Sequence, residues 1–161
     1  CRGDKMRTIL LSFKSDIYQH LQSGEKIFEH RSVFPDEPIK AYLYISKPVM
    51  AIGGVLELSN KTAIAEWKDT YKDDPEVVRR IDKYLSQHKY AMQINSFQDT
   101  NMISLQKIRS VFPSFVVPRM YYFIDDSPLL NYLESELTPK CQLITHDFSK
   151  IDRNDICVEW K

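Results

Sequence analysis

Gly24-Glu25-Lys26-Ile27-Phe28-Glu29-His30-Arg31 is the densest polar cluster in the chain, and its reading decides the fold. Residues 26–34 alternate as a strand with one polar and one mixed face does, and Pro35 and Pro38 end the stretch. Alternate side chains of a strand share a face. The pattern places Lys26, Phe28, His30 and Ser32 on one side and Ile27, Glu29, Arg31 and Val33 on the other. Glu29 and Arg31 are then neighbours able to pair, with Lys26 arriving from the turn after Gly24. Two readings compete. One is a cleft floor where guanidinium, ammonium and carboxylate meet an anionic or hydrogen-bonding ligand such as a nucleotide. The other is a surface strand with a salt bridge that contributes little.

Upstream, Thr8-Ile9-Leu10-Leu11-Ser12-Phe13 reads as a buried strand, apolar at consecutive positions. Ser15-Asp16 offers an N-cap to a helix carrying Ile17, Tyr18 and Leu21, and Gly24 stands where a C-cap glycine belongs. Downstream, Ala41 to Ile45 and Val49 to Leu58 are two β-rich runs joined at Lys47-Pro48. Gly53-Gly54 suggests a bulge or a close backbone approach in the second. Ala63, Ile64 and Trp67 make a short amphipathic face, and Asp74-Pro75-Glu76 starts a helix whose apolar stripe is Val77, Val78, Ile81, Tyr84 and Leu85. Arg79, Arg80 and Lys83 fall on its outer face, where they read as solvated. Tyr90 to Ile94 returns to strand, Ile103 to Val111 is ambiguous, and Pro113–Pro118 is a loop. Met120 to Ile124 is another apolar run, Ser127-Pro128 caps a helix through Leu137, and Leu143-Ile144 lies in a last strand. Six or seven strands and about four helices result. The strands come in consecutive runs, so an α+β fold with a small mixed or antiparallel, barrel-like sheet surrounded by helices fits better than a doubly wound one.

The balance of charge sets limits on function. The chain has 161 residues, 22 Lys+Arg and 22 Asp+Glu, and the balance holds in both halves: 13 basic and 12 acidic residues in 1–80, 9 and 10 in 81–161. Coating of a polyanion through bulk charge is excluded; a local basic site is not. The length favours one domain over residues 8–161, with 1–7 read as an appendage that includes Arg2-Gly3-Asp4. No apolar run is long enough to span a bilayer and no signal-peptide pattern opens the chain, so a cytoplasmic location without membrane partners is expected. Cys1, Cys141 and Cys157 form no C-x-x-C pair, and His20, His30, His88 and His146 have no metal-ligand spacing. No metal and no cofactor are expected, and the thiols read as free. Tyr42, Tyr44, Tyr121, Tyr122, Phe112, Phe115 and Phe123 are either core residues or stacking faces for bases. Arg119, after Pro118 and beside Tyr121, is the candidate phosphate contact outside the cluster.

Gly24-x-Lys26-x-x-Glu29-x-Arg31 resembles the G-x-K-x-x-E-x-R signature of the ASCH (activating-signal-cointegrator homology) domains of the PUA-like superfamily. The resemblance runs in consistent order over residues 8–125. Ile9 to Lys14 resembles the opening strand and Ile17 to Gly24 the helix leading into the motif. Tyr42-Leu43-Tyr44, Lys47-Pro48-Val49 and Gly53 to Glu57 are similar to the strand pair that follows, Lys89 to Ile94 to a later strand, and Pro113–Tyr122 to the proline-containing segment near the end. It implies a small β-barrel ringed by helices, with a cleft that binds RNA or a modified nucleoside. Carried over by position, Gly24 makes the turn, Lys26 faces the ligand, and Glu29 and Arg31 form the polar floor. Arg119 and Tyr121 are further ligand-binding candidates. Some compact relatives are amidohydrolases that deacetylate N4-acetylcytidine with a lysine, a threonine and a glutamate. This chain keeps the lysine as Lys26 but has Glu29 where the threonine falls. The alternative is therefore a nucleoside amidohydrolase or RNA-cleaving enzyme using Lys26 with a carboxylate, Glu29 or Glu57. A protein partner is a third possibility.

Overall fold

The first strand is buried on both sides, which explains its unbroken apolar run. A computed structural model describes residues 6–160. Cys1 and Arg2-Gly3-Asp4 lie outside the described residues. In β1 (Arg7–Phe13), Ile9, Leu11 and Phe13 enter one core and Leu10 the opposite one. The strand starts at Arg7, whose Nε donates to Asp125 at 3.0 Å, so this residue belongs to the sheet and not to the expected appendage.

The remaining elements are α1 (Ser15–Gln22), β2 (Phe28–Arg31), β3 (Ile39–Ile45), β4 (Ala51–Ala63), α2 (Ile64–Thr70), α3 (Pro75–Leu85), β5 (Tyr90–Gln98), β6 (Ile103–Ser104), α4 (Leu105–Val111), β7 (Tyr121–Phe123), α5 (Pro128–Glu136) and β8 (Ile144–Thr145). Together they form an α+β fold around one mixed, curled sheet ordered β2-β5-β4-β3-β1-β7, with β6 on β4 and β8 on β5. Among the described residues only β1 and β3 pair in parallel, from Arg7↔Ile39 to Phe13↔Ile45, so their carboxyl ends finish side by side. The ambiguous stretch Ile103–Val111 divides: two residues pair with β4, then Ser104 caps α4 by accepting from the Lys107 N–H.

Inside the curl, Ile9, Leu11, Leu43, Leu56, Ile94 and Phe97 pack with Tyr18 and Leu21 of α1. On the outside, Leu10, Tyr42, Tyr44 and Ile52 are covered by α4 and α5 through Leu105, Ile108, Leu130 and Leu133. A third cluster joins Phe28 of β2 to Ile64, Val77 and Ile81, and then to Ile156 and Cys157 of the final segment. The Gly53-Gly54 bulge is present. The β3–β4 register slips between Tyr42↔Val55 and Tyr44↔Ile52, and Gly54 takes φ +82° with Tyr18 packed where a side chain would begin. Burial of the Cys157 thiol pushes it up to about 12, which suits a packing role. Among the described residues, no helix is long and apolar enough to cross a membrane.

Candidate functional site

β2 is shorter than the alternation predicts, and this repositions Lys26. Residues 25–27 are not strand: the Lys26 N–H donates to the His20 carbonyl at 3.0 Å, tying it to the last turn of α1. Gly24 leaves that helix at φ +81°, the left-handed conformation that favours glycine. Lys26 therefore departs from the face of Phe28 and His30 and joins Glu29. Its Nζ lies 3.3 Å from Glu29 Oε1, and both side chains are 6 % exposed. Glu29 Oε2 accepts from Arg31 Nε at 2.9 Å and from Arg31 Nη2 at 2.5 Å. The same Nη2 donates to the Ser12 carbonyl at 2.8 Å, linking β2 to the end of β1. Lys26 and Glu29 are buried and Arg31 is part-buried, so the cluster is a triad with one carboxylate between two cations and not a surface salt bridge.

The triad lies in the wall of a cavity of about 460 Å³ at the carboxyl ends of β1 and β3. Ser12, Phe13 and Lys14 come from β1 and its exit, Ser46 from the exit of β3, and Asp16 and Ile17 from the first turn of α1. Lys83 and Tyr84 of α3, Gln87 and His88 beyond it, and Arg119 and Trp160 are also in the lining. Five of these residues are Lys or Arg (Lys14, Lys26, Arg31, Lys83 and Arg119), against two acids, Asp16 and Glu29. Lys83 is shared with Glu159 at 2.8 Å, whereas Lys14 and Arg119 have no ion-pair partner among the described residues.

Burial alone would raise the Glu29 carboxyl, but the charges of Arg31 and Lys26 outweigh it and hold the group down at about 2. Burial lowers the Lys26 ammonium from its ordinary value, and the Glu29 charge opposes that shift. His30, on the same strand, is lowered well below its ordinary value, first by burial and then by the Lys26 charge. Its Nε2 has no hydrogen-bond partner, and the ring packs edge-on to Tyr84 with centroids 4.5 Å apart. Among the described residues, no cluster of His, Cys, Asp and Glu has the make-up of a metal site.

Of the residues the sequence singled out, Lys26, Glu29, Arg31 and Arg119 line this cavity, and three do not. Gly24 shapes the approach without forming wall. Glu57 is exposed on β4, opposite Lys40 and Ser96, because strand alternation turns it away from the buried Leu56 and Leu58. Tyr121 is half-buried against Phe34 and Phe123, at the margin of the inner core. The sequence reading missed Lys83, Tyr84, His88 and Trp160. For Lys83 the available signal, a basic outer face on α3, was read as solvated. Arg79 and Lys83 are indeed exposed, and the face also grips the last segment: Arg79 and Lys83 hold Glu159, and Arg80 Nη2 donates to the Arg153 carbonyl.

With the geometry established, the comparisons define the class of fold. An ASCH protein from Zymomonas mobilis superposes with a TM-score of 0.62 at 16 % identity, covering 83 % of this chain and 97 % of its own. A serine-to-alanine mutant of that protein gives 0.61 at 15 % identity over 82 % and 97 %. A tyrosine-to-phenylalanine mutant gives 0.59 at 14 % over 82 % and 99 %. The sequence itself matches no protein-family model and no curated protein. The chain shares its α+β fold with these ASCH structures.

Proposed function

We propose that the cavity binds a nucleotide or a short stretch of single-stranded RNA, with Lys26, Glu29 and Arg31 as its polar floor and Arg119 and Lys14 as phosphate contacts. The observation that carries this reading is the local charge. In a chain of zero net charge, five cations converge on one cleft against two carboxylates, and two of those cations have no ion-pair partner among the described residues. A cavity of about 460 Å³ falls within the range of small-ligand sites, roughly 300–1,000 Å³. The ASCH-type fold agrees with a nucleic-acid ligand. The test is fluorescence anisotropy of a labelled single-stranded RNA hexamer at low salt. Lys26→Ala and Arg31→Ala, both verified as folded by circular dichroism, are expected to weaken binding. Wild-type binding by both, or no binding by the wild type, rejects the proposal.

A second reading has one specific observation in its favour. Burial lowers the Lys26 ammonium, which brings it closer to general acid–base use. Its neighbour is a poor base, because Glu29 is held at about 2. Turnover of N4-acetylcytidine or of RNA that disappears in Lys26→Ala would favour an enzyme.

A further inference from the structure

Trp160 is placed at the cavity by a segment that is fastened along α3. Ile156 and Cys157 are fully buried against Ile64, Val77 and Ile81. Arg153 Nε meets Asp74 at 2.6 Å at the start of the helix. Arg80 donates to the carbonyls of Arg153 and Ile156, and the Tyr84 hydroxyl donates to the Val158 carbonyl. Glu159 is held by Arg79 at 2.7 Å and Lys83 at 2.8 Å. These fastenings deliver the next residue, Trp160, to the cleft wall. Its indole stacks on the His20 ring, with centroids 4.2 Å apart and planes 27° from parallel, and the Lys26 ammonium lies 6.0 Å from its centroid.

The other aromatic walls are committed elsewhere. Phe13 is buried in the inner core, and Tyr84 is engaged edge-on by His30 and by its bond to Val158. Trp160 is half-buried, lines the cavity and stands beside the cationic floor, and the ring stacked on one of its faces, His20, is not itself part of the cavity lining. A flat π surface next to ammonium and guanidinium groups is the arrangement that takes a base by stacking and its phosphate by charge. We infer that Trp160 is the base-stacking residue of this cleft and sets its preference for nucleotides over base-free phosphosugars. The inference deepens the nucleotide reading above and rests on it.

The test compares the full chain with Trp160→Ala and Trp160→Phe, by isothermal titration with the four ribonucleoside 5′-monophosphates and with ribose 5-phosphate. Stacking on an aromatic side chain contributes about 1–3 kcal/mol, equivalent to roughly 5- to 150-fold in Kd. Trp160→Ala is expected to weaken nucleotide binding by that factor and leave ribose 5-phosphate binding unchanged, while Trp160→Phe retains most of the affinity. Equal loss for nucleotides and ribose 5-phosphate means a merely structural role and overturns the inference. So does a Trp160→Ala variant that binds nucleotides like the wild type. A wild type that binds none of these ligands and no RNA hexamer removes the underlying reading, and this inference with it.

Discussion

The Lys26 ammonium lies 3.3 Å from Glu29 Oε1, with both side chains 6 % exposed. The other oxygen of Glu29 is occupied by Arg31, so one buried carboxylate balances two cations. A lone buried charge is costly, whereas a charge with partners is tolerated. The triad thus leaves one positive charge in excess at the cavity floor while remaining compatible with the fold. An anionic ligand would complete the balance.

Glu29 is the hub, and stability should show it. Glu29→Gln leaves buried Lys26 and part-buried Arg31 together without an anion, and removing one partner of a buried pair costs about 3–5 kcal/mol. Lys26→Met keeps volume and leaves Glu29 paired with Arg31, so its cost is expected to be smaller. Urea titration of the two variants checks the order, and a Glu29→Gln protein as stable as Lys26→Met would contradict the hub role.

Acid should destabilise the protein, through two groups that act with the same sign. Glu29 has its folded value lowered from an ordinary 4.5 to about 2, so the stability it contributes is present above 4.5 and lost as the pH falls through about 2. His30 is lowered well below its ordinary 6.5, so the fold keeps it neutral where the unfolded chain protonates. Its contribution is present above 6.5 and lost as the pH falls below it. The groups acting on His30 are Lys26, Glu29 and Arg31 from its own strand side and His88 from beyond α3. Unfolding free energy is expected to decline below pH 6.5, by at most about 1.4 kcal/mol per pH unit for each histidine. His30→Phe is expected to flatten this decline without abolishing it, since burial lowers His88 and His146 as well.

Net neutrality predicts a shallow salt dependence. Two or three phosphate contacts on a single strand give a slope of log K against log salt of about −1.4 to −2. Arg119→Ala removes one contact, so the slope is expected to become shallower by about 0.7 with no change in melting temperature. Anisotropy titrations at four salt concentrations measure it. A slope unchanged by Arg119→Ala would take that residue out of the ligand contact.

The bulge in β4 is a fixed point of the fold. A Cβ at Gly54 would stand 2.5 Å from Tyr18 Oη, at a φ of +82° that side chains rarely adopt. The same Oη donates to Asp99 at 2.8 Å in a buried network. Gly54→Ala is expected to cost about 2–4 kcal/mol by combining overpacking with left-handed strain, measured by thermal or urea unfolding. A loss under 1 kcal/mol would show that Tyr18 moves aside freely.

What could be read from the sequence was what neighbouring residues determine among themselves. Gly24, Lys26, Glu29 and Arg31 lie within eight positions, so a turn and a strand suffice to bring them near one another. The consecutive apolar residues of β1 report a strand covered on both faces, and Asp74-Pro75-Glu76 marks the start of α3 on local grounds alone. Strand alternation failed at Lys26 because a backbone bond to His20, outside the strand, sets where it points. Glu57 became a candidate through the resemblance, and alternation on β4 shows that it faces outward only once its buried neighbours Leu56 and Leu58 are known. Lys83, His88 and Trp160 reach the cavity through tertiary packing of α3 and the final segment, and no periodicity encodes that. Arg79 and Lys83 of α3 are exposed, as the pattern reads, but their grip on the final segment was not legible because Glu159 and the carbonyls of Arg153 and Ile156 lie more than seventy positions away.

The central claim, that this cleft takes a nucleotide or short RNA, is tested most directly by amide chemical-shift mapping of the 15N-labelled protein with an RNA hexamer. The expected result is a single set of shifts on Ser12 to Ile17, Lys26 to Arg31, Gln87, His88, Arg119 and Trp160, saturating together. Shifts confined to another face of the sheet, or none at millimolar RNA in low salt, would contradict it.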